Sequence, residues 1–172
     1  AKETGGKCNV VELQGTVGSS PAINRKKGFD QVVAANPGMK IIRTQSGDFT
    51  RTKGKEVMEA FLKSPEGKNI NAVYAHNDDM ALGVLQAAAA AGLGVPHDLS
   101  VAGFDDTPSA VFSTPPLTTI RHPVAEMAAA AAQRLVPLLK ARLGPGERQE
   151  ETTVPHALVI RGSTAPPAGP AP

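Results

Sequence analysis

A doubly wound α/β fold, with a mostly parallel sheet covered by helices on both faces, is predicted by three observations. Short apolar runs alternate along the chain with segments whose apolar residues recur at three- and four-residue steps. The apolar runs are nearly continuous rather than alternating, as strands buried on both faces require. The unit is clearest at Val73–Gly83, V-Y-A-H-N-D-D-M-A-L-G. There an apolar run stops at Ala75, four polar residues follow, and Met80, Ala81, Leu82 and Leu85 take up helical spacing. Asn77 or Asp78 can cap that helix, and carboxylates in its first turn suit the helix dipole.

The elements follow in order. Asn9–Leu13 is the first strand, and Gly15–Pro21 a loop of breakers. Pro21 fits the first turn of a helix whose apolar face is Ala22, Ile23, Phe29, Val32 and Val33, ended by Asn36-Pro37-Gly38. Met39–Arg43 is the second strand; Thr50 caps a helix carrying Val57, Met58, Phe61 and Leu62. Ile70–Ala75 is the third strand, followed by a helix to Ala91. Leu99–Phe104 is the fourth and ends in Asp105-Asp106; Thr107-Pro108-Ser109 starts a short helix or turn. Leu117–Arg121 is the fifth. A long helix starts at Pro123, and Pro137 inside it is expected to kink or end a first segment. Ala157–Arg161 is the last strand. A single domain is expected over 1–161, with a disordered tail over 162–172, G-S-T-A-P-P-A-G-P-A-P.

Composition narrows the function classes. Apolar residues make up 41% and charged residues 20% of 172, ordinary for a globular domain with a real core. The net charge is +2 and no long basic run occurs, so neither nucleic acid nor an anionic membrane is indicated. Arg25-Lys26-Lys27 reads as a solvated helix face. No apolar stretch is long enough to span a bilayer, and the first residues lack the apolar core of a signal peptide. The one cysteine, Cys8, forms no internal disulfide and reads as a small buried or edge side chain.

In open parallel sheets, ligands bind beyond the carboxyl ends of the strands. Those ends carry Arg25, Asp48, Phe49, His76, Asn77, Asp78, Asp105, Asp106 and His122. Arg and Asp can bond vicinal hydroxyls, Asn offers donors and an acceptor, and Phe can stack on an apolar sugar face. The set suits a neutral polyhydroxylated ligand. Each member also has a plainer role: Asn77 and Asp105 as caps, Phe49 as a lid on the core, Arg25 and His122 as surface residues. Catalytic signals are weaker. There is no G-x-S-x-G elbow, no G-x-G-x-x-G and no Walker spacing before Lys55 or Lys68. His76, Asp78 and Asp79, or Asp105-Asp106, could touch a metal, but they lie on different loops without ligand spacing. The expectation is no enzyme, no cofactor and no metal.

The stretches N-V-V-E-L-Q-G-T-V-G-S-S-P-A-I-N-R-K-K-G-F, Q-S-G-D-F-T-R-T-K-G-K-E-V-M-E and V-Y-A-H-N-D-D-M resemble the second lobe of type I periplasmic sugar-binding proteins. The ribose, galactose and galactofuranose receptors of ABC importers are the nearest subgroup. From about Leu82, G-V-P-H-D-L-S-V-A-G-F-D-D-T-P, T-P-P-L-T-T-I-R-H-P-V-A-E-M-A and L-V-I-R-G-S-T-A-P-P resemble LacI/GalR-family transcriptional regulators. The two families share one fold, and N-D-x-M-A-L-G is common to both. The resemblance therefore implies one lobe of the periplasmic-binding-protein-like type I fold, with a seam at Asp78–Gly83. It also implies that Arg25, Phe49, Asn77, Asp105 and His122 line the ligand cleft, His122 standing where the family usually has Gln.

The matching residues include neither the family's first lobe nor a helix-turn-helix head. The helix carrying Val124, Met127, Ala131, Leu135 and Leu138 then lacks its usual partner. It is expected to fold back, or to pair with a second copy or the missing lobe through Val124–Leu139. The expected function is non-catalytic binding of a small sugar as the second lobe of an ABC-importer receptor, periplasmic or extracytoplasmic, with an ABC permease as partner. The alternative is the effector-sensing core of a cytoplasmic LacI/GalR-type regulator without its DNA-binding head, making no nucleic-acid contact itself. A fragment, or an engineered hybrid with no native function, is compatible with both.

Overall fold

The computed structural model describes residues 8–141 and 152–165. β1 (Cys8–Gln14) is the centre of a parallel sheet. It pairs on one side with β2 (Met39–Ser46) and on the other with β3 (Ala72–Ala75), which pairs with β4 (Ser100–Ala102), giving the order β2-β1-β3-β4. Parallel bridges Ala102–Thr118 and Asp105–Arg121 carry the sheet on to β5 (Thr119–Arg121). β6 (Ala157–Val159) closes it, antiparallel to β5. The helices are α1 (Ser20–Ala34), α2 (Arg51–Lys63), α3 (Asp78–Ala90), α4 (Pro108–Phe112) and α5 (Val124–Ala141).

Side chains alternate across β1, so its two faces build two different cores. Val11 and Leu13 join Val73, Ala75, Met58, Phe61, Met80, Val84 and Leu99 beneath α2 and α3. Cys8 and Val10 join Met39, Phe29, Val33 and Tyr74 beneath α1. The helices α2 and α3 meet backbone to backbone at Gly54, where a Cβ would lie 2.6 Å from the Met80 carbonyl oxygen. That contact demands glycine and fixes how α3, and so its N-terminus, sits on the sheet. Thr50 caps α2 by accepting from Lys53 N–H, and Asn77 caps α3 by accepting from Met80 N–H.

Three expectations are corrected or narrowed. β1 and β2 run further than the apolar pattern suggested, because parallel pairing continues through the polar ends to Gln14 and Ser46. Of the two outcomes expected at Pro137, a kink or an end, the end is excluded: α5 continues past it to Ala141. The helix is exposed there, so water can serve the carbonyl that proline leaves unbonded. Lastly, the body does not stop at 161. Ser163 is fully buried; its hydroxyl donates to Val101 O (2.6 Å) and accepts from Thr118 N–H (2.8 Å), while its carbonyl accepts from Val101 N–H (2.8 Å). Residues 162–165 are thus bonded to β4 and the approach to β5; 166–172 lie outside the described residues.

Two apolar surfaces stay uncovered. Along α5, Val124, Met127, Leu135, Val136 and Leu139 are exposed, Leu139 by 68%. On the α1 side of the sheet, a trough of about 600 Å³ is lined by Val10, Met39, Tyr74, Leu158 and Ile160 among others.

Candidate functional site

The strand order reverses at β1, which has β2 on one side and β3 on the other. The loops leaving the carboxyl ends of β1, β2, β3 and β4 therefore converge, as the switch-point rule requires. Two of them hold consecutive non-glycine residues in the left-handed region: Asp48 (φ 54°) with Phe49 (φ 59°), and Asp105 (φ 123°) with Asp106 (φ 61°). Such backbone is costly and persists where surroundings hold it. Phe49 is held by Gly15, whose missing side chain leaves the space its ring fills, and by Asn77, whose amide Nδ2 donates to the Phe49 carbonyl at 3.0 Å. Asp106 is held by Arg121 (2.8 Å) and Arg161 (2.5 Å), which outweigh burial and keep its carboxyl below the ordinary range.

Arg25 leaves the middle of α1 and crosses over these loops. One terminal nitrogen donates to the His76 carbonyl, the other to Asp105 Oδ1 at 3.2 Å. Its guanidinium lies 3.9 Å from the ring centre of Phe104 and 5.6 Å from that of Phe49. Phe104 in turn meets His122 edge to face at 6.1 Å. Phe49, Arg25, Phe104 and His122 thus form a stack along one wall, with Asp105 beside it and Asn77 beneath Phe49. Arg25 and Asp105 remain partly open, at 14% and 30% side-chain exposure. Burial pushes the Asp105 carboxyl up, with Arg25 opposing. The chemistry this surface offers is a bidentate donor, a carboxylate acceptor, an amide and two aromatic faces.

The five residues singled out from sequence therefore lie on one contiguous surface. Arg25 is not the solvated helix residue that its basic neighbours suggested. Asn77 does both things considered for it: Oδ1 caps α3 while Nδ2 secures Phe49. Other strand-end residues play structural parts. Asp78 is buried and accepts from Thr119 Oγ1 (2.5 Å), Thr107 N–H (2.8 Å) and Thr107 Oγ1 (3.2 Å), so it brackets three elements rather than facing a ligand. Asp79 pairs on the surface with Arg51 at 2.7 Å. Among the described residues, no three His, Cys, Asp or Glu side chains are grouped as metal ligands would be.

Two residues of the arrangement carry no signal in the strand-end reading. Phe104, in G-F-D, reads from sequence only as the last residue of its strand. Glu12 lies inside the first strand of the sequence reading and is fully buried among polar partners: His76 Nε2 (3.0 Å), Gln14 Nε2 (3.0 Å), Thr44 Oγ1 (2.9 Å) and Lys26 Nζ (3.5 Å). Burial alone would push its carboxyl up; these hydrogen bonds and the Lys26 charge overcome it and hold it at about 2. The signal was present, since a carboxylate inside V-V-E-L has no solvent-facing side in a sheet covered by helices on both faces.

A family model described as a periplasmic binding protein-like domain matches residues 8–164. The chain is 60% identical over 109 residues to the galactofuranose-binding protein YtfQ of Escherichia coli strain K12, a match covering 62% of this chain and 34% of that protein. It is 38% identical over 141 residues to the HTH-type transcriptional regulator MalR of Streptomyces coelicolor, covering 76% of this chain and 40% of that protein. A crystal structure of a galactofuranose binding protein superposes with a TM-score of 0.81 at 44% identity, over 92% of this chain and 54% of that one. The chain therefore spans about a third to a half of the length of these relatives.

Proposed function

Because the chain belongs to the family of periplasmic binding protein-like domains, we propose that it binds a small sugar without transforming it, as one lobe of a two-lobed receptor. The observation that carries this is the Arg25–Asp105 pair set between Phe49 and Phe104. A charge-assisted donor and acceptor 3.2 Å apart match two neighbouring hydroxyls, and the flanking rings match the C–H face of a sugar. Asn77 and His122 stand at the two ends of the same surface and add polar contacts. The relatives are binding proteins and regulators, and the surface holds no nucleophile paired with a base, so no reaction is assigned to it.

The cleft's opposite wall would come from a complementary lobe, closing over the sugar as a population shift between open and closed states. α5 is the contact for that lobe or for a second copy, since Val124, Met127, Leu135, Val136 and Leu139 stay exposed on it. In a transport receptor the closed form would engage an ABC permease outside the cytoplasm. The second reading, the effector-sensing core of a regulator acting inside the cell, is favoured by the MalR match, which extends over more of the chain than the YtfQ match. Both readings share the ligand surface.

With one wall only, binding is weak. Halving a typical binding energy moves a dissociation constant from about micromolar to about millimolar. Titration of a monosaccharide panel, read by amide shifts, tests this. Shifts centred on Arg25, Phe49, Asn77, Asp105 and His122 that vanish in Arg25→Ala and Asp105→Ala support the site. Tight binding insensitive to both substitutions, or no shift at about ten times millimolar sugar, overturns it.

A further inference from the structure

The buried Glu12 and His76 side chains are not accessible to any ligand, both being fully buried. Yet they lie directly under the site, at the carboxyl ends of β1 and β3. His76 makes four connections. Its backbone N–H extends the β1–β3 ladder to Leu13 O at 2.9 Å. Its carbonyl accepts from Arg25. Its Nδ1 lies 3.4 Å from the backbone nitrogen of Gly15, and its Nε2 3.0 Å from Glu12 Oε1. Gly15 N–H can only donate, so Nδ1 holds a lone pair and the ring proton sits on Nε2, donated to Glu12. Glu12 is itself immobilised at its other oxygen by Gln14, Thr44 and Lys26. Tyr74 packs behind the imidazole with ring centres 5.3 Å apart.

An ion-bearing buried cluster is a poor device for stability alone, because apolar side chains of equal volume do as well. What this cluster provides is placement. Gly15 is the floor under the Phe49 ring, and the His76 carbonyl anchors Arg25. Both groups flank the same ligand surface, and one residue reaches both, Gly15 through its ring and Arg25 through its backbone carbonyl.

We propose that the Glu12–His76 pair is a positioning device for the cleft: Glu12 fixes the His76 tautomer, His76 holds the Gly15 loop beneath Phe49 and anchors Arg25, and the pair thereby sets the ligand-facing geometry without touching the ligand. The role as a ligand surface rests on the sugar-binding proposal; the positioning itself does not. The charged and titratable groups around the imidazole are Glu12 on β1, Arg25 and Lys26 on α1, and Tyr74 on β3, whose hydroxyl burial pushes up to about 12.

The test needs no sugar. In the full chain, long-range proton–nitrogen correlation of His76 is expected to show a neutral ring protonated at Nε2. The Arg25 side-chain protons, lying over Phe104, are expected upfield of their usual position. Glu12→Gln, which keeps the shape and removes the charge, is expected to mix the His76 tautomers and to lose at least half of the Arg25 shift, while amides beneath α2 and α3 stay in place. Val101→Ala, a core truncation in β4 away from the pair, is expected to leave the Arg25 shift intact. If Glu12→Gln fails to fold, Thr44→Ala removes one donor from Glu12 and is expected to give a smaller loss in the same direction. An Nδ1-protonated His76 overturns the proposal. So does an Arg25 shift unchanged in the Glu12 or Thr44 variant, or one lost equally in Val101→Ala. Intact Arg25 and His76 signals without any sugar-dependent shift would overturn the sugar-binding proposal alone.

Discussion

Replacing Asp78 by asparagine should lower stability by about 2 kcal/mol although shape and burial barely change. One oxygen can still accept from Thr119 Oγ1, now 2.5 Å away. The other becomes an NH2 that faces the Thr107 N–H, now at 2.8 Å, and its hydroxyl, at 3.2 Å. A charge-assisted bond of about 1.5–3 kcal/mol becomes donor against donor. Burial already holds the Asp78 carboxyl above its ordinary range, with the threonine hydrogen bonds opposing, so loss of the charge returns part of that sum. For a domain of this size, with a urea slope of about 2 kcal/mol/M, the midpoint should fall by about 1 M. Asp78→Ala removes every acceptor and leaves a void, so about 3–5 kcal/mol is expected. Thr119→Val takes one bond and should cost about 1 kcal/mol. Urea unfolding of the three single variants and of Asp78→Ala/Thr119→Val, in which each single change removes the shared bond, gives the coupling. An Asp78→Asn change under about 0.5 kcal/mol, or strictly additive effects in the pair, would show that the bracket contributes nothing.

Other outcomes are as specific. Glu12, held near 2 against an ordinary 4.5, and Asp106, also lowered, give stability that is present above the ordinary carboxylate range and lost as pH falls below it. Asp78 and Asp105 are raised, so their protonation favours the fold on acidification and softens the loss. The urea midpoint should therefore drop between about pH 5 and pH 2, and less steeply in Glu12→Gln. Gly54→Ala forces a Cβ onto the Met80 backbone and should cost about 1–3 kcal/mol; a neutral result by thermal melting would mean that α2 and α3 can separate freely. If α5 pairs two copies, the chain self-associates with concentration in sedimentation and Leu135→Glu or Leu139→Glu reduces that without shifting the sheet amides; association unchanged in both variants would remove α5 from the interface.

The alternation of strands and helices was legible because each period leaves its own apolar pattern; the strand order β2-β1-β3-β4 was not, because an apolar run does not say which strand it pairs with. The candidate surface was legible at its rim, where the strand-end rule and the resemblance bring Arg25, Phe49, Asn77, Asp105 and His122 together. Its foundation was not. Glu12 becomes intelligible only when Thr44, Lys26 and His76, from three other elements, are brought round it. Phe104 escaped notice because an apolar residue at a strand end looks like core, and only the Arg25 side chain laid across it shows otherwise. The G-S-T-A segment was misjudged by a local rule that long-range backbone bonds override.

The buried Ser163 has a consequence for how this body behaves when cut. Its backbone and hydroxyl occupy both hydrogen-bonding groups of Val101 on the side of β4 away from β3. A chain ending at Arg161 would bare those groups beside the apolar Leu117 and Val101, leaving a short open strand edge that any other extended peptide can complete. The last few residues of the body thus act as a built-in blocking strand, and their loss would be felt first as aggregation and only afterwards as unfolding.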